Sequence, residues 1–342
     1  MSATPHPVQI FGGGLAGLSL GLALRRSGVP VTIFEAGVYP RHRVCGEFIT
    51  GLADSTIDRL GLAPLLGDAQ LHREVAWFWH GQPLRRQTLP APAISLSRYA
   101  LDERLATAFT AAGGDLRTRT RVALDDSPPG RVFATGRRLA RPEWIGLKCH
   151  ALKLPLAAEL ELHLGDHAYV GLCAVEGGRV NVSGLFRLRV GLELSRERAL
   201  STYLRASGLT ELADRLVSVA VDPASYSAIA GLGFSRPCTR PDRLVIGDTY
   251  AMIPPFTGHG MAMAFQSAEQ ALDPLIGWSR GEVSWDDTLT LVRQRLRHLF
   301  RLRLSVASAL HPFLVTPVGQ RGLAISNRLG VLPLRSLYQL TH

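Results

Sequence analysis

Three groups of residues in this chain have types and spacings that could do chemistry. The first is Gly12-Gly13-Gly14-Leu15-Ala16-Gly17, followed after an apolar run by Glu35-Ala36. Glycines at 12, 14 and 17 allow a tight turn, close approach of a pyrophosphate and packing of the next helix on a sheet, while Glu35 can accept from a ribose 2′-hydroxyl. The pyrophosphate would rest on the amides of Leu15 and Ala16, because a helix N-terminus favours anions. The second group is Cys45-Gly46-Glu47. A thiol and a carboxylate this close suit a proton donor and an orienting group for hydride addition to a carbon–carbon double bond. The third is Gly247-Asp248 behind an apolar strand, then Pro255 and Gly258-His259-Gly260-Met261. Asp248 can accept from ribose hydroxyls, the Gly260 and Met261 amides can stabilise negative charge, and His259 can hydrogen-bond a substrate.

The elements that must position these groups follow from periodicity and punctuation. Residues 8–11, a glycine-interrupted helix and residues 31–35 form a βαβ unit. Residues 74–79 and 83–89 predict two strands joined near Gly81-Gln82, and residues 97–112 an amphipathic helix stopped by Gly113-Gly114. Residues 131–134 predict a strand returning to the first sheet. From 144 to 190 the pattern is mainly β, with a hairpin turning at Glu176-Gly177-Gly178-Arg179. A helix at 195–206 and a strand near 226–232 precede a buried strand at 244–246, a helix over 260–277 and a helical tail from Ser284. The layout is discontinuous: residues 1–70, 98–140 and 240–280 predict a nucleotide-binding domain, 71–97 and 141–239 a β-sheet substrate domain, and 281–342 a helical segment. The ligand belongs where the two sheets meet.

Composition bounds the function class. The chain has 342 residues, 46% of them apolar and 19% charged, enough for sizeable cores. No free-standing apolar run is long enough to span a membrane, and the N-terminal helix feeds a strand rather than a cleavage site. Cys45, Cys149, Cys173 and Cys238 lack CxxC spacing, which argues against zinc or a disulfide framework and for a cytoplasmic setting. The net charge of +10 comes from arginines spread along the chain, so it does not point to nucleic acid. A cluster at 293–303 predicts a solvated helix face, with peripheral membrane contact as its furthest reach.

Residues 242–268, DRLVIGDTYAMIPPFTGHGMAMAFQSA, together with the N-terminal glycines, resemble the FAD-binding monooxygenase, geranylgeranyl reductase and flavin halogenase superfamily. The resemblance implies a Rossmann-like FAD-binding domain of the para-hydroxybenzoate hydroxylase and glutathione reductase type, an inserted mainly antiparallel β substrate domain and a C-terminal helical tail. It implies FAD as the cofactor, held by Gly247, Asp248, Pro255, Gly258, Gly260 and Met261 in addition to the first motif. Residues 41–48 resemble the CGE segment of the reductases, and 97–102 the R…LD segment that opens a helix beside FAD. Arg98 and Arg43 are thereby implied as cofactor contacts, suited by planar donors.

Two departures matter. Where the hydroxylases carry a DG motif, this chain has Thr135-Gly136, so NAD(P)H enters as electron donor either directly or, as the missing acid suggests, through a separate flavin reductase. Only the first half of the halogenase WxWxIP motif is present, at Trp77 and Trp79. The expected activity is an FAD-dependent oxidoreductase of monooxygenase type, inserting one oxygen atom into a hydrophobic polyketide, lipid or prenyl substrate. Two alternatives are a double-bond reductase using Cys45, and a flavin-binding carrier without its own substrate. Trp77, Trp79, Trp144, Tyr169 and Phe186 are candidate pocket lining, and Lys148 and His150 share a strand face that could meet the pocket.

Overall fold

A computed structural model describes residues 4–123, 127–137, 143–192, 195–234, 237, 238 and 240–328. The expected helical tail therefore lies outside the described residues beyond 328. In chain order the elements are β1 (Val8–Phe11), α1 (Leu15–Arg26), β2 (Val31–Phe34), β3 (Phe48–Ile49), α2 (Asp54–Leu60), β4 (Gln70–Trp79), β5 (Gln82–Ser95), α3 (Arg98–Ala111), β6 (Asp115–Arg117) and β7 (Arg131–Phe133). They continue as β8 (Trp144–Leu152), β9 (Leu160–Gly165), β10 (Ala168–Val175), β11 (Arg179–Arg187), α4 (Ala199–Ala206), α5 (Thr210–Val217), β12 (Ser227–Ala230), β13 (Leu244–Val245), α6 (Gly260–Ser279), α7 (Trp285–Val315) and α8 (Pro317–Arg328).

Five strands pair in parallel in the order β13-β7-β1-β2-β6. Parallel strands covered on both faces read as continuous apolar runs, which is why 8–11 and 31–34 are legible as strands. Helix α1 is buried from Leu15 to Leu24 because it lies between this sheet, α3 and α6. A helix apolar all round is a core helix. Ser97 caps α3 by accepting from the Ala100 amide at 3.0 Å, and Ser284 caps α7 by accepting from Asp287 at 3.1 Å.

The second sheet has eight strands in the order β12-β8-β11-β10-β9-β4-β5-β3. Its pairs are antiparallel except β4 with β9. The β4–β5 hairpin turns at His80-Gly81, both with positive φ, as the right-handed twist of paired strands favours. Strand β3 falls within residues 1–70 yet pairs with β5, so the chain enters the second sheet earlier than its sequence pattern suggests. The Glu176 carboxylate at the β10–β11 turn accepts from the Ser97 amide at 2.9 Å and its hydroxyl at 2.5 Å, tying the second sheet to the start of α3. No helix among the described residues is long and apolar enough to cross a membrane.

Candidate functional site

The glycine loop is fixed by contacts that only glycine permits. Gly12 has φ +111°, and a Cβ there would lie 2.1 Å from the Ala134 carbonyl oxygen. At Gly17 a Cβ would meet the Gly12 carbonyl oxygen at 2.0 Å, so this residue seats α1 under the loop and does not face the cavity. Gly14 differs: its Cβ would point into open space.

Glu35 is 5% exposed and laces this loop together. It accepts from the Gly13 and Gly37 amides, each at 2.8 Å, and pairs with Arg41 at 2.7 Å. Burial alone would raise its carboxyl, but the Gly37 amide, Arg41, Arg43 and the Gly13 amide together hold it below the ordinary range. A carboxylate has about four lone-pair directions. Three are taken here, which leaves room for one further donor.

Arg98 and Arg43 converge on Asp102, which is fully buried. Arg98 donates through Nε at 2.7 Å and Nη2 at 2.9 Å, and Arg43 through Nε at 2.9 Å. Burial opposes the charge on Arg98, but Asp102 more than offsets it and its pKa is raised. Asp102 thus turns two arginines into a fixed cationic wall, a role the sequence did not disclose. Asp248 also lines the cavity; burial by the protein around it raises its carboxyl, with Arg98, Arg137 and Arg43 pulling the other way. Thr249 joins the loops that follow β7 and β13, accepting from the Gly136 amide at 2.9 Å and donating to its carbonyl at 3.1 Å.

The Cys45-Gly46-Glu47 group is split by the backbone. Cys45 and Gly46 line the cavity, whereas Glu47 adopts φ +54° and its side chain is fully buried behind them. There its carboxylate accepts from Lys148, from His150 at 2.6 Å and from the Arg98 amide at 2.8 Å. Burial would raise Glu47, but Lys148 and then His150 hold it below the usual range, so it stays ionised. This corrects the expectation for Lys148 and His150: both are buried and face Glu47 rather than the pocket. Burial pushes the Cys45 thiol up, with Arg98 opposing, so it is held as S–H. Asn181 donates to the Cys45 and Gly46 carbonyls at 3.1 and 2.8 Å and fixes this stretch of wall.

Pro255, Gly258, Gly260 and Met261 line the cavity at the start of α6, as do Leu15, Ala16, Ala36 and Gly247 at its glycine-loop end. His259 is fully buried at the α6 start and lies outside the lining, which moves it from a substrate contact to a support of the turn. The cavity measures about 1680 Å³ and is continuous from the glycine loop to an apolar chamber. Trp77 and Tyr169 line that chamber, together with Leu310, Phe313 and Leu323 of α7 and α8, a contribution the sequence did not reveal. Phe186 does not line it: successive strand residues point to opposite faces, so Leu185 meets the cavity and Phe186 packs against Tyr203 behind. Trp79 and Trp144 belong to the apolar cluster beside the chamber and are not on its wall.

The basic stretch at 293–303 is not one solvated face. Arg303 is 5% exposed and donates to Gln266 at 2.8 Å, Arg293 donates to the Pro241 carbonyl at 2.6 Å, and Arg297 and Arg301 are exposed.

The two-sheet fold recurs in solved structures. HpxO of Klebsiella pneumoniae, complexed with FAD and uric acid, superposes with a TM-score of 0.76 over 99% of this chain and 97% of its own at 17% identity. PqsL of Pseudomonas aeruginosa, a probable FAD-dependent monooxygenase, gives 0.72 over 92% and 98% at 17% identity. The flavin-dependent brominase Bmp2 gives 0.75 over 98% and 93% at 15% identity. This chain has their fold. In sequence, a menaquinone reductase of Mycolicibacterium smegmatis is 27% identical over 136 residues, spanning 38% of this chain and one third, 33%, of that protein. No family model matches.

Proposed function

We propose that the chain is an FAD-dependent oxidoreductase of monooxygenase type acting on a hydrophobic small molecule. The observation that carries this is the single cavity joining two chemically different ends. One end offers the glycine loop, the α1 N-terminus, the Arg98–Asp102–Arg43 wall and Asp248; the other is an apolar chamber. At about 1680 Å³ it exceeds the roughly 300–1,000 Å³ typical of a single-ligand pocket. It has room for an extended dinucleotide and a second molecule at once.

In this reading residues 1–70, 98–140 and 240–280 form the FAD-binding unit and the second sheet covers the substrate. Gly12, Gly14, Leu15, Ala16 and Gly17 form the pyrophosphate turn, Arg98 and Arg43 face phosphate or ring, and Asp248 accepts from the ribityl or ribose hydroxyls. Gly258, Gly260 and Met261 set the start of α6 against the ring. FAD supplies electron transfer and oxygen activation when bound. The chain's own residues bind and orient it, exclude water from the chamber and hold a proton at Cys45. Its electrons come from NAD(P)H, directly or through a separate reductase, since Thr135-Gly136 replaces the acidic motif of direct users.

A second reading, reduction of a double bond, is favoured by the wall position of Cys45 as a neutral thiol and by the menaquinone reductase among the relatives. Flavin content of the purified chain tests the cofactor, and stopped-flow reoxidation separates the two reactions. The anaerobically reduced protein mixed with oxygen should return through two resolved spectral steps if it oxygenates. A single featureless step, with substrate turnover under argon, would replace oxygenation by reduction.

A further inference from the structure

The sequence is polarised at its end. From Thr288 onward it contains no aspartate or glutamate but eight arginines. Helix α8 lies in this stretch and carries apolar residues on both sides. Its inner side is anchored: Gln320 is 1% exposed and donates to the Gly165 carbonyl at 2.8 Å and the Leu314 carbonyl at 2.7 Å, while Leu323 lines the apolar chamber. Its outer side carries Val318, 80% exposed, and Ile325, 59% exposed, seven residues apart and hence on one face, with the exposed Arg321 between them. The outer face of a helix on a water-soluble surface is polar. This one is apolar with a cation.

The end of α7 fixes where this face lies. A Cβ at Gly319 would lie 2.5 Å from the Phe313 Cα, so the first turn of α8 is pressed against the end of α7 and Val318 stands next to it. Phe313 lines the chamber itself, so α7 adds to the outer surface only Leu302, 58% exposed, with Arg301 exposed beside it. Exposed bulky apolar side chains interleaved with arginines, and no acidic residue in the segment, are the composition of a helix that lies in a lipid–water interface.

We propose that the outer face of α8, formed by Val318, Arg321 and Ile325, docks on an anionic lipid bilayer. The apolar chamber then ends one helix away from the lipid, because Leu323 faces the chamber from the same helix that carries Val318 and Ile325 outward. The chemistry of the partner follows from the charge: anionic headgroups meet Arg321, and acyl chains receive Val318 and Ile325. Delivery of a lipophilic substrate by this route rests on the function proposed above, but the docking itself does not.

Vesicle flotation of the full-length, flavin-loaded protein tests it, with phosphatidylglycerol–phosphatidylcholine vesicles against pure phosphatidylcholine. The expected result is binding to the anionic vesicles, at least about fivefold weaker binding to neutral ones, and at least about tenfold weaker binding of the Val318→Glu/Ile325→Glu variant, since each interfacial arginine and each buried apolar side chain is worth a factor of that order. Both positions point outward, so this variant should keep its flavin; Arg321→Glu alone, which leaves the apolar contacts, serves if it does not. Equal flotation of wild type and variants, or none on anionic vesicles, overturns the proposal. So does concentration-dependent dimerisation, seen by sedimentation velocity and abolished in the double variant, since the face would then belong to a second copy. Flavin content, read on the same samples, fails separately if the cofactor reading is wrong.

Discussion

Gly14→Val separates cofactor binding from folding because of where the new side chain would go. The backbone at Gly14 is extended, at φ −88° and ψ −171°, which any residue adopts, and a Cβ there meets nothing within 4 Å. The folded protein should lose only the difference between glycine and a poor N-cap residue, on the order of 1 kcal/mol. For a chain of this size that lowers Tm by about 2–4 °C or less. The cofactor would lose far more. The first amides of α1 have no acceptor within the helix, and a pyrophosphate seated there takes charge-assisted bonds worth roughly 1.5–3 kcal/mol each. Displacing two of them costs about 3–6 kcal/mol, a hundredfold or more in affinity. The assay is the flavin-to-protein absorbance ratio after purification and FAD titration of the apoprotein, beside a thermal melt. The neighbouring Gly12→Ala is the contrast: its Cβ would strike the Ala134 carbonyl at 2.1 Å with φ at +111°, so it should damage the fold itself. If Gly14→Val purifies with a full flavin complement and unaltered affinity, the pyrophosphate does not lie on this loop.

Three further outcomes are expected. Asp102→Asn leaves Arg98 and Arg43 without their buried counter-charge and should cost about 3–5 kcal/mol in denaturant melts, while Asp102→Asn/Arg43→Gln recovers part of it; an unchanged midpoint in the single variant would remove Asp102 from its assigned place. His42 is lowered to about 4, first by burial, then by Lys148 and His150. Folded His42 therefore resists protonation, its contribution is complete above the unfolded value of 6.5 and is lost as pH falls from there towards 4. Stability measured across that window should flatten in His42→Asn, and a slope identical to wild type contradicts the assignment. Cys45→Ala should retain FAD and, if the chain reduces a double bond, lose roughly 10²-fold or more in turnover with KM little changed; unimpaired turnover assigns the proton to another donor.

Much of this was legible in the residues. The Gly12–Glu35 spacing, the strand into Gly247-Asp248 and the cap at Ser284 each have a local physical cause, and local causes survive in sequence. What was not legible depends on distance or on backbone sign. Asp102 draws its meaning from Arg43, 59 residues away. Glu47 sits two residues from a cavity-lining cysteine, yet its φ of +54° turns it into the interior, where Lys148 and His150 wait from a strand a hundred residues on. Strand β3, of two residues, holds no period to detect, and nothing in the spacing of Leu310, Phe313 and Leu323 says that α7 and α8 close the chamber.

The strand order β13-β7-β1-β2-β6 also bears on how the protein is made. The glycine loop follows β1, which precedes the other strands of this sheet in the chain, but the partner that covers the outer edge of β7 is β13, more than a hundred residues after β7. Throughout that interval the nascent parallel sheet has an open edge, and unpaired edges recruit other strands. Five of the eight strands of the second sheet, β8 to β12, are synthesised in the meantime, and the Glu176–Ser97 bonds let its hairpin grip α3 before β13 exists. A chaperone that binds exposed strand edges would therefore find this chain vulnerable between the emergence of β7 and that of β13.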